Sequence, residues 1–203
     1  MDVKTAIESR RSIRKYKPDA VSEELVKELL EAARLAPSGT NHQPWRFIVI
    51  RDRSVKEKIQ AAAFDQEYLS QAPVLLVCCA DLSTYGKDTR KRVEELIAVG
   101  AMDPASLDTY PGLNKPKDAE ALKGYIPHAM LNVALAMENI SLRATSLGLG
   151  TCIVQLMKAK KIAEVLALPD NLIITALMPV GYPEQSPAPR PRLALEEIIY
   201  QVI

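Results

Sequence analysis

The sequence predicts a sheet flanked by helices, and three observations carry that expectation. The runs 45–50 (WRFIVI), 73–80 (PVLLVCCA) and 172–180 (LIITALMPV) are apolar and β-prone, the pattern of buried strands. Segments with helical spacing of apolar residues separate them, and such alternation packs helices against a sheet. At 203 residues the chain fits one domain, 1–203, long enough to bury a sizeable core without disulfides.

Taken in order, residues 2–9 read as a short helix. Residues 21–35 read as a second, because Leu25, Val26, Leu29, Leu30 and Ala33 recur on one helical face after a candidate cap at Ser22, and Pro37 ends it. Strand 45–50 follows, then helix 54–63 and strand 73–80. From 81 to 127 charges, prolines and short amphipathic pieces such as 90–99 replace the compact apolar segments, which reads as an insertion or lid. Residues 129–147 are apolar on nearly every side, interrupted by Asn132, Glu138, Asn139 and Arg143, so the expectation is a helix buried between other elements. After Gly148-Leu149-Gly150-Thr151-Cys152 come helix 158–166 and strand 172–180. Four prolines in 183–192 exclude helix and central strand, leaving an extended run over a surface.

Charge excludes some partners. Twenty-six basic residues balance twenty-five acidic ones, a formal net charge of +1, so there is no global attraction to nucleic acid or to an anionic membrane. No segment approaches the roughly 20 apolar residues of a membrane helix, and the charged N-terminus is not a secretory signal. Three cysteines, with Cys78 and Cys79 on opposite faces of one strand, suit a reducing, cytoplasmic setting.

Common catalytic centres are also discounted. His42 and His128 stand far apart without clustered metal ligands, so no metal is expected and both histidines read as surface or cap residues. Gly86-Lys87-Asp88 fails as a phosphate loop. Gly148-Leu149-Gly150 begins like a dinucleotide fingerprint, but Ile153 replaces the third glycine and a helix precedes it. Cys152 has no nearby histidine to activate it and reads as a buried structural cysteine.

Two stretches remain. RRSIRKY, residues 10–16, concentrates Arg10, Arg11 and Arg14 around the Ser12 hydroxyl, and guanidinium forks match the oxygens of a phosphate monoester; a solvated basic helix end is the plain alternative. APSGTNHQPWRF, residues 36–47, is a loop of turn formers and amides, groups that can both donate to and accept from a heteroaromatic edge; it can equally be an ordinary connection with Trp45 opening a strand.

Together, Arg10-Arg11-Ser12-Ile13-Arg14, Pro37-Ser38-Gly39-Thr40-Asn41-His42-Gln43-Pro44-Trp45, Gly148-Leu149-Gly150-Thr151-Cys152 and Arg190-Pro191-Arg192 resemble, in order and spacing from residue 2 to the end, the FMN-dependent nitroreductase family. The resemblance implies an α+β fold with a mixed sheet between helices. It implies an intertwined homodimer with two FMN molecules at the subunit interface, which would account for the apolar 129–147 helix. By position, Arg10 and Ser12 would bind the phosphate and ribityl chain, Arg11 would add its backbone or side chain, and Arg190 and Arg192 would close the phosphate site. Arg14 would lie at the pyrimidine edge and stabilise the charge gained on reduction. Pro37, Ser38, Gly39 and Asn41 of a second subunit would line the ring, as would Gln66. Cys152, Ile153, Val154 and Gln155 would run past the flavin, with the side chains of Ile153 and Val154 against it.

The implied activity is that of an NAD(P)H-dependent oxidoreductase. NADH or NADPH would pass hydride to flavin N5 and leave, and a small electron-poor acceptor such as a nitroaromatic or quinone would then take the same place. No side-chain acid or base is implied. In this family the 81–127 region varies and often covers the acceptor; Tyr85, Tyr110 and Tyr125 could stack on such a ligand, but the favoured reading is that they anchor the insertion. A reductive dehalogenase of the same fold, a non-catalytic flavin-binding protein, and a basic module for nucleic acid are the rival expectations.

Overall fold

Every residue of the 74–81 run is buried, because the run is a central strand covered on both faces. The computed structural model describes residues 1–86, 88–110, 113 and 117–203. Lys87 of the rejected phosphate-loop match, and Pro111, Gly112, Asn114, Lys115 and Pro116 of the 81–127 insertion, lie outside the described residues. Four strands, β1 (Trp45–Ile50), β2 (Val74–Asp81), β3 (Gly150–Thr151) and β4 (Leu172–Gly181), form one sheet in the order β1-β2-β4-β3. The three ladders are antiparallel, and the parallel element that makes the sheet mixed is a single bridge between Ser12 and Thr151.

Helices cover both faces, as an α+β layering requires. On one side lie α1 (Val3–Ser9), α2 (Glu23–Arg34) and, further along the chain, the long α8; on the other lie α3 (Arg53–Ala62), α4 (Tyr68–Gln71) and α9. Between β2 and α8 the chain forms α5 (Thr89–Ala98), α6 (Ser106–Thr109) and α7 (Ala119–Lys123); α8 is Ile126–Ser146, α9 Ala159–Val165 and α10 Leu195–Ile198. Ser22 caps α2 as its position predicts, its side chain accepting from the Leu25 N–H. Val74, Leu76, Cys78 and Ala80 of β2 face α2 and α8, while Leu75, Val77 and Cys79 face α3, α4 and α9. Cys78 and Cys79 therefore do point to opposite cores, and burial pushes the Cys79 thiol up to about 11 and the Cys78 thiol higher still. Opposite this pair the register shifts, leaving Thr175 of β4 as a bulge residue whose buried hydroxyl has no partner among the described residues.

Three expectations change. Strand 45–50 is an edge strand and not a buried one: Arg46 and Val49 are exposed, because only β2 pairs with it. Helix 129–147 buries one face, with Ala129, Val133, Ala136, Met137, Ile140 and Ala144 inward, while Leu131 is 61% and Leu135 40% exposed on the other. His42, read as a surface or cap residue, does cap the 39–41 turn but is buried, 5% exposed, in an aromatic stack. Beyond the bridge at Pro183, residues 184–192 form neither helix nor strand, and after them Leu193, Leu195, Ile198, Val202 and Ile203 are exposed. Among the described residues no helix is long and apolar enough to cross a membrane.

Candidate active site

The basic segment is held down along its length. Helix α1 is capped by Asp2, whose carboxylate accepts from Thr5 at 2.9 Å and is lowered below its ordinary range by those bonds. At Arg10 the backbone turns extended and crosses the end of the sheet. Thr151 O accepts from Ile13 N–H (2.9 Å), Tyr182 O from Lys17 N–H (2.9 Å) and Lys15 O from Glu184 N–H (3.0 Å). Ile13 and Tyr16 are buried, the Tyr16 hydroxyl donating to Ile13 O at 2.7 Å. Burial of that phenol pushes its pKa well up, so it remains a donor. Two glycines permit the close approach: a Cβ on Gly150 would fall 2.5 Å from Ile13 Cγ1, and one on Gly181 would fall 2.6 Å from Pro73 Cδ and 2.9 Å from Tyr16 Cδ1.

The consequence is a cavity of about 470 Å³ shared by the two ends of the chain. Arg10, Arg11, Ser12 and Arg14 line it from one side, Arg190 and Arg192 from the other. Glu8 is the sole carboxylate in its wall, against five guanidiniums. Arg11 Nη1 is folded onto the carbonyls of Glu8 (2.7 Å) and Arg10 (2.8 Å), at the negative end of α1. Arg10 Nε lies 3.7 Å from the Glu138 carboxylate of α8; burial raises the pKa of Glu138 and Arg10 opposes the rise. Among the described residues no carboxylate forms an ion pair with Arg11, Arg14, Arg190 or Arg192.

Cys152 reports the same convergence from below. Burial raises its thiol pKa, against the opposing pull of Arg14, the Ser12 hydroxyl, Arg190 and Arg10. The thiol is therefore protonated at neutral pH, in keeping with a structural cysteine. Residues 152–155 alternate: Cys152 and Val154 are buried in the core with Leu177, whereas Ile153, 41% exposed, and Gln155 face outward. Val154, expected against the flavin, bonds through its N–H and C=O to Leu177 at 2.9 Å and packs its side chain in the core, while Ile153 is the exposed member of the pair. Gln66 is likewise committed. Its amide donates to Ala63 O (2.7 Å) and Leu156 O (2.9 Å), and its Oε1 accepts from Tyr68 (2.5 Å), so it ties the 63–67 turn to the 152–157 segment.

Pro37, Ser38, Gly39 and Asn41 lie elsewhere. None lines the arginine cavity; Gly39 and Thr40 instead edge a second cavity of about 370 Å³ with His42, Tyr85, Tyr110 and Tyr125. A single chain does not bring the two predicted half-sites together. In the 38–43 turn Thr40, Asn41 and Gln43 have φ of 49°, 51° and 49°, left-handed values that cost non-glycine residues roughly 1–2 kcal/mol each. The tyrosines anchor as expected: Tyr85 stacks on His42 (4.3 Å between centroids) and on Tyr125 (5.1 Å), and the Tyr110 hydroxyl is 2.6 Å from Thr40 Oγ1. Sequence reasoning gave no role to Asn132, which joins Gly39 to Tyr85, or to Asn139, which donates to Ala32 O at 3.0 Å; their signal was polarity within an apolar helix.

The Nitroreductase family matches residues 7–182, and the chain belongs to that family. A Thermus thermophilus protein named NADH dehydrogenase is 34% identical over 98% of this chain and 95% of its own length. The FMN reductase [NAD(P)H] of Bacillus subtilis is 28% identical over 98% of this chain and 73% of its own. Among solved structures, a protein of Exiguobacterium sibiricum 255-15, described as a nitroreductase in complex with FMN, superposes with a TM-score of 0.80 at 25% identity, covering 98% and 96% of the two chains.

Proposed function

We propose that the chain is an NAD(P)H-dependent FMN oxidoreductase, active as a homodimer. The observation that carries this reading is the cavity in which guanidiniums from both ends of the chain meet. Its chemistry fits an FMN phosphate: a dianion would find four arginines without carboxylate partners, the Ser12 hydroxyl beside them, and a fifth arginine, Arg10, held loosely by Glu138. The B. subtilis relative's name and the FMN complex of the E. sibiricum protein support the same cofactor.

Bound FMN supplies hydride exchange between NADH or NADPH and a small electron-poor acceptor, a nitroaromatic or quinone, the two using one place in turn. The rest is the work of the chain. Arg10, Ser12, Arg190 and Arg192 bind the phosphate, and Arg11, anchored on α1, narrows the opening. Arg14 sets a fixed positive charge at the ring's pyrimidine edge. Ile153 and Gln155, which face outward, flank the ring, and Cys152 stays a neutral support beneath. Pro37, Ser38, Gly39 and Asn41 reach the ring from the second copy, which explains why one chain holds them apart from its own arginines. The exposed apolar face of α8 and the exposed apolar tail after residue 192 supply surface for that second copy. Residues 1–203 serve this one site, with 81–127 as its variable part. The three free cysteines suit a reducing cytoplasm.

The visible spectrum of the purified protein tests the cofactor, and anaerobic addition of NADH or NADPH tests the activity. A yellow protein that bleaches promptly is the expected result. A yellow protein that does not bleach would make it a flavin carrier, and a colourless one that takes up no added FMN would end the proposal.

A further inference from the structure

Beyond the flavin site lies a buried connection that no other feature of the reading uses. Asn132 sits on the apolar face of α8, 7% exposed among Ala129, Val133 and Ala136. A side-chain amide is costly there unless both its ends are bonded, and both are. Its Oδ1 accepts from the Gly39 N–H at 3.3 Å, and its Nδ2 donates to the Tyr85 hydroxyl at 2.8 Å. Tyr85, itself 3% exposed, lays its ring on His42, and His42 Nδ1 is 3.2 Å from Thr84 O, next to Tyr85 in the chain. The turn is closed from Gln43 N–H to Ser38 Oγ at 3.0 Å.

The turn so enclosed holds three left-handed non-glycine residues within four positions, Thr40, Asn41 and Gln43. Such a backbone persists only where its surroundings fix it. Its surroundings here include the 21-residue helix α8 and the first turn of the insertion, joined through the Asn132 amide, together with α5 and the Tyr110 hydroxyl on Thr40.

We infer that Asn132 and Tyr85 are positioning residues that hold the 38–43 turn in the shape in which it meets the flavin of the second copy. The inference rests on the proposed function for what the turn touches, but not for how the turn is held. Both are buried, and neither lines the arginine cavity. They fix the backbone from which Ser38, Gly39 and Asn41 act, so the insertion and the cofactor contact share one support.

Two variants test this. Asn132→Leu keeps the branched shape and removes both bonds; Tyr85→Phe keeps the ring on His42 and removes the acceptor. In protein stripped of flavin, amide exchange in peptides covering 38–43 should speed by about tenfold, with peptides of β2 and β4 unchanged. In protein reloaded with FMN, the dissociation constant should stay within about threefold of wild type, the visible band of bound flavin should shift, and kcat/KM should fall by about tenfold. The double variant should be no worse than the worse single one, since both break the same chain of bonds. Exchange that stays unchanged at 38–43, or rises equally everywhere, overturns the brace. Faster exchange at the turn with an unaltered flavin band and unaltered kinetics overturns its positioning role. If wild-type protein takes up no FMN, the proposed function falls, while the exchange experiment still decides whether Asn132 and Tyr85 hold the turn.

Discussion

Around the arginine cavity, five guanidiniums face a single carboxylate in the wall, and the segment bearing three of them is pinned by backbone bonds on either side. Around the aromatic cavity the polar groups answer one another: Asn132 with Gly39 and Tyr85, Thr40 with Tyr110, His42 with Thr84. The first region carries like charges in excess, relieved only in part by Glu138 beside Arg10 and by the carbonyls that hold Arg11, which leaves it suited to an anion from outside. The second is complete in itself and keeps a strained backbone in place. Uncompensated charge marks where a ligand is held, and compensated polarity marks where shape is held.

The largest test of that contrast removes charge from both chain ends at once. Arg10→Ala combined with Arg192→Ala deletes two charge-assisted contacts of about 1.5–3 kcal/mol each, and FMN should be lost on gel filtration, with fluorescence titration giving a dissociation constant more than about a hundredfold higher. Wild-type affinity should also weaken as salt rises, while the fold does not. Unchanged retention in the double variant would break the charged half of the comparison.

Gly150→Ala should come next. Its new Cβ would meet Ile13 within 2.5 Å, so the 12–14 segment must move; a loss of about 1–3 kcal/mol in urea unfolding is expected, together with weaker FMN binding. Stability lost with FMN affinity intact would show that the pinning of the segment does not matter to the cavity.

On the aromatic side the expected effects are smaller and follow pH. Burial holds His42 below its ordinary value of 6.5; the Thr84 carbonyl pulls the other way, Lys117 and Arg92 push it further down, and Asp88 opposes them. The unfolded chain therefore takes up this proton first as pH falls. Stability from neutral His42 is complete above about 6.5 and is lost as pH falls through the lower folded value. Melting temperature should drop across that interval in the wild type and stay flatter in His42→Gln. Smallest of all, Tyr110→Phe removes one part-buried bond to Thr40 and should cost about 0.5–1.5 kcal/mol in the same unfolding assay.

Much of this architecture was legible in the chain. The unbroken apolar run of β2 could only be a strand covered twice, and the spacing from Leu25 to Ala33 with Ser22 before it could only be a capped amphipathic helix. The four basic or glycine-rich motifs were legible as a family pattern, and their density of charge alone left a solvated helix end open. What stayed hidden depended on neighbours distant in sequence. That β1 is an edge depends on which strands pair with it, and that Val154 turns inward depends on its bridge to Leu177. His42 read as a surface or cap residue, and it does cap the 39–41 turn; its burial stayed hidden because its cover, Tyr85, is supplied by the insertion. The partners of Asn132 lie 47 and 93 positions away, and no local periodicity announces them.

The stitching of residues 13–17 to 179–184 has a consequence for how the protein comes into being. Tyr16 and Pro179 are 163 positions apart, so these are among the last contacts a growing chain can make. A fragment ending before Arg190 lacks two of the five guanidiniums that line the arginine cavity, so on the proposed function it would form much of its core and hold FMN poorly.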